Sequence, residues 1–413
     1  MPSSRIPGFY RLGQEDRIKK IKENLKLSDE DVKLLGSGLK PKQADGMIEN
    51  VIGVYSLPLG VALNFKINDK DYLIPMATEE SSVVAAASNA AKIFRSAGGF
   101  KACSTKPLMF GQLQVTGCSL PEAASNVLEK KKNLLDLANQ ADPVLVEAGG
   151  GAQDVRARIL GDLLVVHLVV NVADAMGANA VNSMCESVAP LIEDLSGGRV
   201  NFKILSNYAV ERTASAEASI PIESLGDKVA ADIVSGFRFA QADVYRAATH
   251  NKGIMNGVSA VCLATGNDTR AIESGAHAYA CRNGIYQPLS SWEIIDDSLK
   301  GFIKLPVAVG IVGGGTMHPT ARLMIQMLGV SSSRELGEVL ACVGLAQNFA
   351  ALKALASEGI QKGHMRLHAR NIALIAGASG SEVEQTANLL IEADNIRVDE
   401  AKKILAKLRG GNN

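Results

Sequence analysis

Two short polar segments place charged side chains among apolar and glycine residues. Lys252 lies within residues 249–253, and Asp268 directly follows the turn formed by Gly266 and Asn267. Burying a charged group is costly unless a partner is supplied, and an ammonium group in a water-poor site can stabilise an oxyanion. A structural ion pair or a solvated turn is the commoner explanation of such residues. Their spacing alone does not decide between the two interpretations.

Glu79 and Glu80 stand between the end of a predicted strand and the start of a predicted helix. The helix dipole favours a carboxylate at this place, so helix capping is the simpler interpretation. The alternative is a proton donor, which requires a neighbouring group that favours the protonated carboxyl. Both roles remain open at this point.

Residues 174–179 follow a predicted strand and open a predicted helix. Gly177 permits a close backbone approach, and the free N–H groups at a helix start attract phosphate. The segment is not a GxGxxG motif, so it does not indicate a Rossmann fold. Tight packing of a small-residue helix on a sheet explains the segment equally well.

Two of the six histidines, His364 and His368, lie four residues apart, a spacing also found in metal sites. Neither a third ligand nor an HExxH-like carboxylate accompanies them, so no metal site is predicted. His364 follows Gly363 at a helix start and is better interpreted as a general acid. The remaining histidines are expected to serve hydrogen bonds or packing: His167, His250, His277 and His318.

The composition predicts a folded intracellular protein. A chain of 413 residues is too long for one compact core. The 43 basic residues are balanced by 43 acidic residues, which argues against a sequence-independent nucleic-acid binder. Six scattered cysteines without a CxxC pair suit a reducing cytosol. With no apolar signal region and no apolar stretch long enough for a membrane, a cytoplasmic location is expected.

The N-terminal part of the chain is predicted to form helices and a hairpin that help to position these residues. Residues 14–27 have the pattern of an amphipathic helix, and residues 28–31 resemble a capping box that opens the next helix. Strand-like runs at 61–67 and 72–76 predict a hairpin.

Between residues 108 and 207 the predicted order is β-α-β-β-α-β, the ferredoxin-like arrangement. Its strands and helices are predicted at 109–115, 121–140, 155–160, 163–172, 176–195 and 199–205. We interpret residues 108–212 as a small domain inserted between two parts of a large mixed domain, 1–107 and 213–357. Residues 358–413 form a helical tail with few large apolar side chains, expected to pack lightly. The predicted fold class is α+β.

Several motifs in one order, spread over residues 5–409, resemble the 3-hydroxy-3-methylglutaryl-coenzyme A (HMG-CoA) reductases, most closely class II. They are residues 49–53, 79–87, 174–179, 245–253, 266–268, 313–316 and 363–365. One departure is Ser81, which follows Glu80 where many class II sequences have proline. The loss of proline frees φ and adds an N–H donor, and it leaves the carboxylate in place.

The resemblance implies reduction of HMG-CoA to mevalonate and coenzyme A by two reduced nicotinamides, through mevaldyl-CoA and mevaldehyde. By motif position, Lys252 stabilises the substrate oxyanion and Glu80 supplies a proton. Asp268 tunes the protonation of these two groups, and His364 protonates the departing thiolate. Each hydride addition creates an oxyanion, so donors of this kind suit the reaction. Whether the enzyme works in mevalonate synthesis or breakdown stays open.

The resemblance also implies binding residues. Dinucleotide contacts are implied for Asp142, Asp174, Met176, Gly177, Ala178, Asn179 and Asn207. Contacts with the HMG portion or coenzyme A are implied for Arg11, Ser82, Arg246, Asn256 and Gln347. A carboxylate at Asp142 would repel a 2′-phosphate, so NADH is expected, with NADPH as the alternative. The family further implies a homodimer, or a larger assembly of dimers, with active sites at the subunit interface and the tail as a closing flap.

Two other functions compete with this interpretation. A ferredoxin-like RNA-binding module would need exposed aromatic residues on its sheet, and only Phe110 and Phe202 occur on the small-domain strands. An aldehyde-forming acyl-CoA reductase of the cysteine type would need an activated thiol, and no cysteine stands beside a plausible activating group. Neither alternative is supported as well as the reductase.

Overall fold

The structure is a computed structural model that describes residues 3–314, 318–357 and 360–410, without the side chains of residues 360–367. The proposed acid His364 therefore has its backbone in a helix but its side chain outside the described part, and Gly315 and Thr316 of the glycine-rich turn also lie outside it. The described residues form a mixed α and β structure, as the sequence predicts at this level.

Ten strands occur along the described chain: β1 (Leu59–Ile67), β2 (Lys70–Ala77), β3 (Phe100–Ser104), β4 (Leu108–Thr116), β5 (Gly151–Leu160), β6 (Leu163–Asn171), β7 (Arg199–Ser206), β8 (Thr213–Pro221), β9 (Ser290–Ile295) and β10 (Ser298–Pro306). Six form a sheet in the order β2-β1-β3-β8-β10-β9, and four form a sheet in the order β5-β6-β4-β7. The neighbours are antiparallel except β1 and β3. The predicted hairpin is confirmed as β1 and β2.

The α-helices of the described chain are α1 (Gln14–Leu25), α2 (Asp29–Ser37), α3 (Pro41–Asp45), α4 (Val83–Ser96), α5 (Leu120–Glu129), α6 (Lys131–Ala141), α7 (Pro143–Glu147), α8 (Ala178–Ser196), α9 (Ile222–Leu225), α10 (Asp227–Ala242), α11 (Val244–Ala264), α12 (Thr269–Ala280), α13 (Pro319–Leu328), α14 (Ser333–Ala356), α15 (Ile360–Ile375), α16 (Glu382–Glu392) and α17 (Val398–Gly410). The predicted capping box is confirmed at α2, where Ser28 and Asp31 exchange side-chain and backbone hydrogen bonds.

Helix α14 is the centre of the larger layer and packs against α4, α10, α11 and the six-stranded sheet. Among the described helices it alone is long and apolar enough to cross a membrane, but 67% of its most apolar window is buried inside the protein. Gly257 permits its close contact with α11, because a Cβ there would lie 2.8 Å from the Val343 side chain. Phe349 of α14 packs against Phe94 and Trp292 in a buried aromatic group.

Helices α5, α6 and α8 pack against the four-stranded sheet. The chain order of these elements is the predicted one, but the single helix predicted at 121–140 is wrong. The helix breaks at Lys130, whose ψ of 19° departs from helical geometry. The break lets both α5 and α6 pack against α8 and β5.

Helices α15, α16 and α17 pack mainly on one another. Their two small cores consist largely of alanine, with Leu390, Ile404, Val383 and Leu405 as the larger buried side chains. These cores are separate from the main cluster that joins the two sheets. Small side chains bury little apolar area, so this unit gains little hydrophobic stabilisation.

Candidate active site

Glu80 and Lys252 are 172 residues apart in the chain and in contact in the fold. The Nζ of Lys252 donates a hydrogen bond to Oε2 of Glu80 at 2.7 Å. The Nδ2 of Asn256 donates to Oε1 of the same carboxylate at 3.2 Å. Both carboxylate oxygens thus face donors, and the ammonium keeps two further N–H groups for another acceptor. Such a group can hold an oxygen that becomes negatively charged.

Regular secondary structure positions these side chains. Lys252 and Asn256 are four residues apart on α11, so they lie on one face of the helix. Glu80 lies in the loop between β2 and α4, and its N–H donates to Oγ1 of Thr78 at 3.2 Å. Ser82, the N-cap residue before α4, has a φ of +74°, a conformation that a non-glycine residue adopts at a cost. The loop therefore holds Glu80 with some backbone strain next to it.

A cavity of about 270 Å³ surrounds the pair. It runs along one face of α11 between the end of β2 and α12, lined by Ala77, Thr78, Glu79, Glu80, Lys252, Met255, Asn256, Ser259, Ala260, Leu263, Glu273 and His277. Lys252 is not the buried lysine that its apolar neighbours suggested, since its side chain is 60% exposed and that of Glu80 is 37% exposed. The reason is that the cavity opens to solvent in the single chain.

Asp268 lies outside this hydrogen-bonded group. Its Oδ1 accepts from the N–H groups of Arg270 and Ala271 and so caps α12. Its nearest cation among the described residues is Arg270, at 3.9 Å. The structure brings together two of the three predicted large-domain catalytic groups, Lys252 and Glu80, and gives Asp268 a capping role.

A second polar group lines the same cavity. The hydrogen bonding predicted for His277 is confirmed, whereas its partner Glu273 was given no role by the sequence. The Oε2 of Glu273 lies 3.1 Å from Nε2 of His277, and its Oε1 accepts from the hydroxyl of Ser259 at 2.5 Å. The Nδ1 of His277 lies 2.7 Å from the hydroxyl of Tyr286. Burial alone would raise the pKa of Glu273, but the bonds from His277 and Ser259 outweigh it and lower that pKa. The spacing of four residues on a helix was the available signal.

The proposed dinucleotide segment is a tight turn before α8. Gly177 has a φ of +101°, and a Cβ there would lie 2.4 Å from Val172, so only glycine fits. Gly177 is the N-cap of α8 and has no side chain to cap it, so the first N–H groups of the helix can receive an anion. Oδ1 of Asp174 accepts from the N–H of Ser333 at 2.7 Å. Asp174 therefore fastens the turn to α14, while Asn179 is exposed.

Two residues that had no predicted role hold this turn. Arg212 is 4% exposed and donates to the carbonyls of Met176 at 2.9 Å and Ala175 at 3.0 Å, and also to that of Val309. Burial lowers the pKa of Arg212 to about 10, partly offset by the charge of Asp174. Asn267 exchanges two hydrogen bonds with Gly310, whose backbone packs against the turn. A buried arginine with backbone acceptors has no sequence signature.

The other residues predicted to contact substrate or cofactor lie in separate parts of the fold. Arg11 is exposed and bonds Tyr10. Arg246 is half-buried on α11, six residues before Lys252 and hence on another face of the helix. Gln347 is 6% exposed, and its Oε1 has no hydrogen-bond partner among the described residues. Asp142 caps α7 by accepting from Leu145 at 3.0 Å.

Asn207 is exposed, and its carbonyl lies close to Gly275 of α12. No group of three metal-binding side chains occurs in the part of the chain that the structure describes.

Known proteins resemble this chain over almost its full length. A family model described as hydroxymethylglutaryl-coenzyme A reductase matches residues 13–369. The 3-hydroxy-3-methylglutaryl-coenzyme A reductase of Archaeoglobus fulgidus is 54% identical, with 98% of this chain and 95% of that protein aligned. A probable reductase of the same name from Borreliella burgdorferi is 39% identical, with 88% of this chain and 86% of that protein aligned.

Solved structures of reductases with the same name superpose on this chain. The 3-hydroxy-3-methylglutaryl-coenzyme A reductase of Streptococcus pneumoniae superposes with a TM-score of 0.84 at 42% identity, covering 97% of this chain and 99% of that one. The class II enzyme of the same organism, bound to NADPH in open conformations, gives a TM-score of 0.83 at 43% identity over 85% of this chain and 99% of that one. The chain therefore belongs to the HMG-CoA reductase family, whose members are NAD(P)-dependent oxidoreductases, and within it to class II.

Proposed function

We propose that this chain reduces HMG-CoA to mevalonate and coenzyme A with two reduced nicotinamides. The observation that supports this function best is the contact of Lys252 with Glu80 at 2.7 Å in a cavity of about 270 Å³. The cofactor supplies hydride to the carbonyl carbon. Lys252 and Asn256 donate hydrogen bonds to the oxygen that becomes negative, and Glu80 gives it a proton.

A direct assay tests this proposal. The protein is mixed with HMG-CoA and either NADH or NADPH, and the absorbance of the reduced nicotinamide is followed. We expect oxidation of two nicotinamides for each coenzyme A released. No oxidation with either cofactor would eliminate the reductase function.

The dinucleotide is assigned to the segment 174–179 and to Asn207. The uncapped start of α8 and the glycine-only turn at Gly177 fit a phosphate at this place. We propose NADH as the preferred cofactor because the Asp142 carboxylate disfavours a 2′-phosphate. NADPH is the alternative, and it is bound in the class II relative from Streptococcus pneumoniae.

The packing of the layers supports the domain boundaries that we propose. The strand order β5-β6-β4-β7 with helices packed on the sheet supports a ferredoxin-like small domain at 108–212. The large domain is then 1–107 with 213–357, and it contains the Glu80–Lys252 cavity. The separate cores of α15–α17 support a distinct flap at 358–413.

A homodimer or a larger assembly of dimers is proposed, with active sites at the subunit interface. None of residues 174–179 is among the described residues that line the cavity. A second subunit that brings its dinucleotide segment to this cavity would complete the site and exclude water from Lys252. We further propose a cytoplasmic location, with no nucleic-acid or membrane partner.

His364 is proposed to protonate the coenzyme A thiolate. Because only the first half of the reaction releases a thiol, His364→Gln is expected to lower HMG-CoA reduction by about 100-fold, a typical general-acid effect, and to leave mevaldehyde reduction close to normal. The two rates are measured with the same cofactor. Equal losses on both substrates would reject this division of roles.

A further inference from the structure

The Glu273–His277 pair lies in the same cavity as Glu80 and Lys252 but has no role in the reaction as proposed so far. Its histidine is held on both ring nitrogens, by Glu273 at 3.1 Å and by Tyr286 at 2.7 Å. The His277 side chain is nevertheless 42% exposed. The imidazole is thus fixed in orientation while it stays in contact with both the cavity and solvent.

The order of these groups argues against a hydrolytic role. In a serine triad the histidine bonds the serine, whereas here the Glu273 carboxylate stands between Ser259 and His277. Ser259 donates its proton to a carboxylate and is not activated by the imidazole. The carboxylate instead orients the histidine.

We propose that His277, oriented by Glu273 and Tyr286, relays protons from solvent to Glu80 through cavity water. This inference rests on the proposed function. Reduction of a thioester to an alcohol and a thiol takes up two hydrides and two protons.

Glu80 gives a proton to the oxyanion after each hydride transfer. When the thiolate leaves mevaldyl-CoA, the hydroxyl proton of that intermediate returns to Glu80 while His364 protonates the thiolate. Each full turnover therefore leaves Glu80 as a carboxylate that must be protonated once before the next. Protonated His277 passes its Nδ1 proton to the Tyr286 oxygen as the Tyr286 hydroxyl proton moves to cavity water and on to Glu80. His277 is then neutral and takes up another proton from solvent by the same route.

The hydrogen bonds allow both states of the imidazole. Nε2–H donates to Glu273 in the neutral and in the protonated form. Nδ1 accepts from the Tyr286 hydroxyl when it is neutral and donates to the same oxygen when it is protonated. Glu273 and Tyr286 contact the His277 ring, and Glu79, Glu80 and Lys252 are charged groups that line the same cavity.

The test separates the first turnover from the following ones. In His277→Ala the first hydride transfer after rapid mixing uses the proton already on Glu80, so it keeps the wild-type rate. The steady-state rate is expected to fall by about 10-fold, since water replaces the relay only in part. The loss becomes larger as the pH rises, because solvent supplies fewer protons. Added imidazole restores the steady-state rate, which a loss of packing alone would not allow.

Matched variants complete the experiment. His167→Gln changes a histidine that bonds Gln112 in the four-stranded sheet. Its steady-state rate is expected to equal that of the wild type and not to change when imidazole is added. Glu273→Gln keeps the shape of the orienting group but removes its charge, and it should lower the steady-state rate more than the first turnover.

An unchanged steady-state rate in His277→Ala overturns the relay, and so does a loss shared equally by the first turnover and not restored by imidazole. If the wild-type protein oxidises neither cofactor with HMG-CoA, the proposed function itself is wrong.

Discussion

The Glu80–Lys252 cavity and the turn at residues 174–179 both depend on a cationic side chain, and the two cations are used in opposite ways. Lys252 is 60% exposed and contacts a carboxylate at the edge of an open cavity. Arg212 is 4% exposed and donates to backbone carbonyls that hold the turn. A cation that acts on a substrate must keep free donors, whereas a buried cation must have its donors satisfied. A substitution of Lys252 should therefore lower activity with little effect on stability, whereas a substitution of Arg212 should lower stability.

The largest effect is expected for Lys252→Ala. Loss of the group proposed to hold the oxyanion should lower kcat by about 1,000-fold, while the melting temperature changes little because an exposed ion pair contributes about 1 kcal/mol or less. Lys228→Ala, which removes another exposed lysine paired with a carboxylate, is the matched control. Near-normal turnover in Lys252→Ala would contradict the role of Lys252.

Arg212→Ala should show the opposite pattern. Three buried or partly buried carbonyls lose their donor, which is expected to lower the free energy of unfolding by about 3 kcal/mol. The turn then loses its fixed position, so KM for the dinucleotide rises more than kcat falls. Denaturant unfolding and cofactor titration measure the two effects. A variant with normal stability and an unchanged cofactor KM would refute the role of Arg212 as a positioning residue.

The smallest effect is expected for Asp142→Ala, which tests the charge that selects the dinucleotide. Removing a carboxylate near a 2′-phosphate should improve NADPH relative to NADH by about 5-fold, equivalent to about 1 kcal/mol. The ratio of kcat/KM values for the two cofactors measures this change. Asp142→Asn separates charge from shape, because it keeps a side-chain oxygen to cap α7. An unchanged ratio in both variants would reject the charge argument.

Much of the local structure could be predicted. The hairpin at β1 and β2 and the capping box at Ser28 follow from residue pattern and short-range hydrogen bonding, which act over a few residues. The break at Lys130 was missed because periodicity alone does not report how two helices must turn to reach a third.

The motifs of the chain determined the family and the identity of its reactive side chains, because amino-acid type and order are properties of the sequence itself. Tertiary structure decided which of these groups meet. It joined Glu80 to Lys252 across 172 residues, left Asp268 as a helix cap and brought His277 into the cavity. It also buried Arg212 against backbone carbonyls. Such contacts arise from the packing of distant elements around one core, and local sequence patterns contain no distances between those elements.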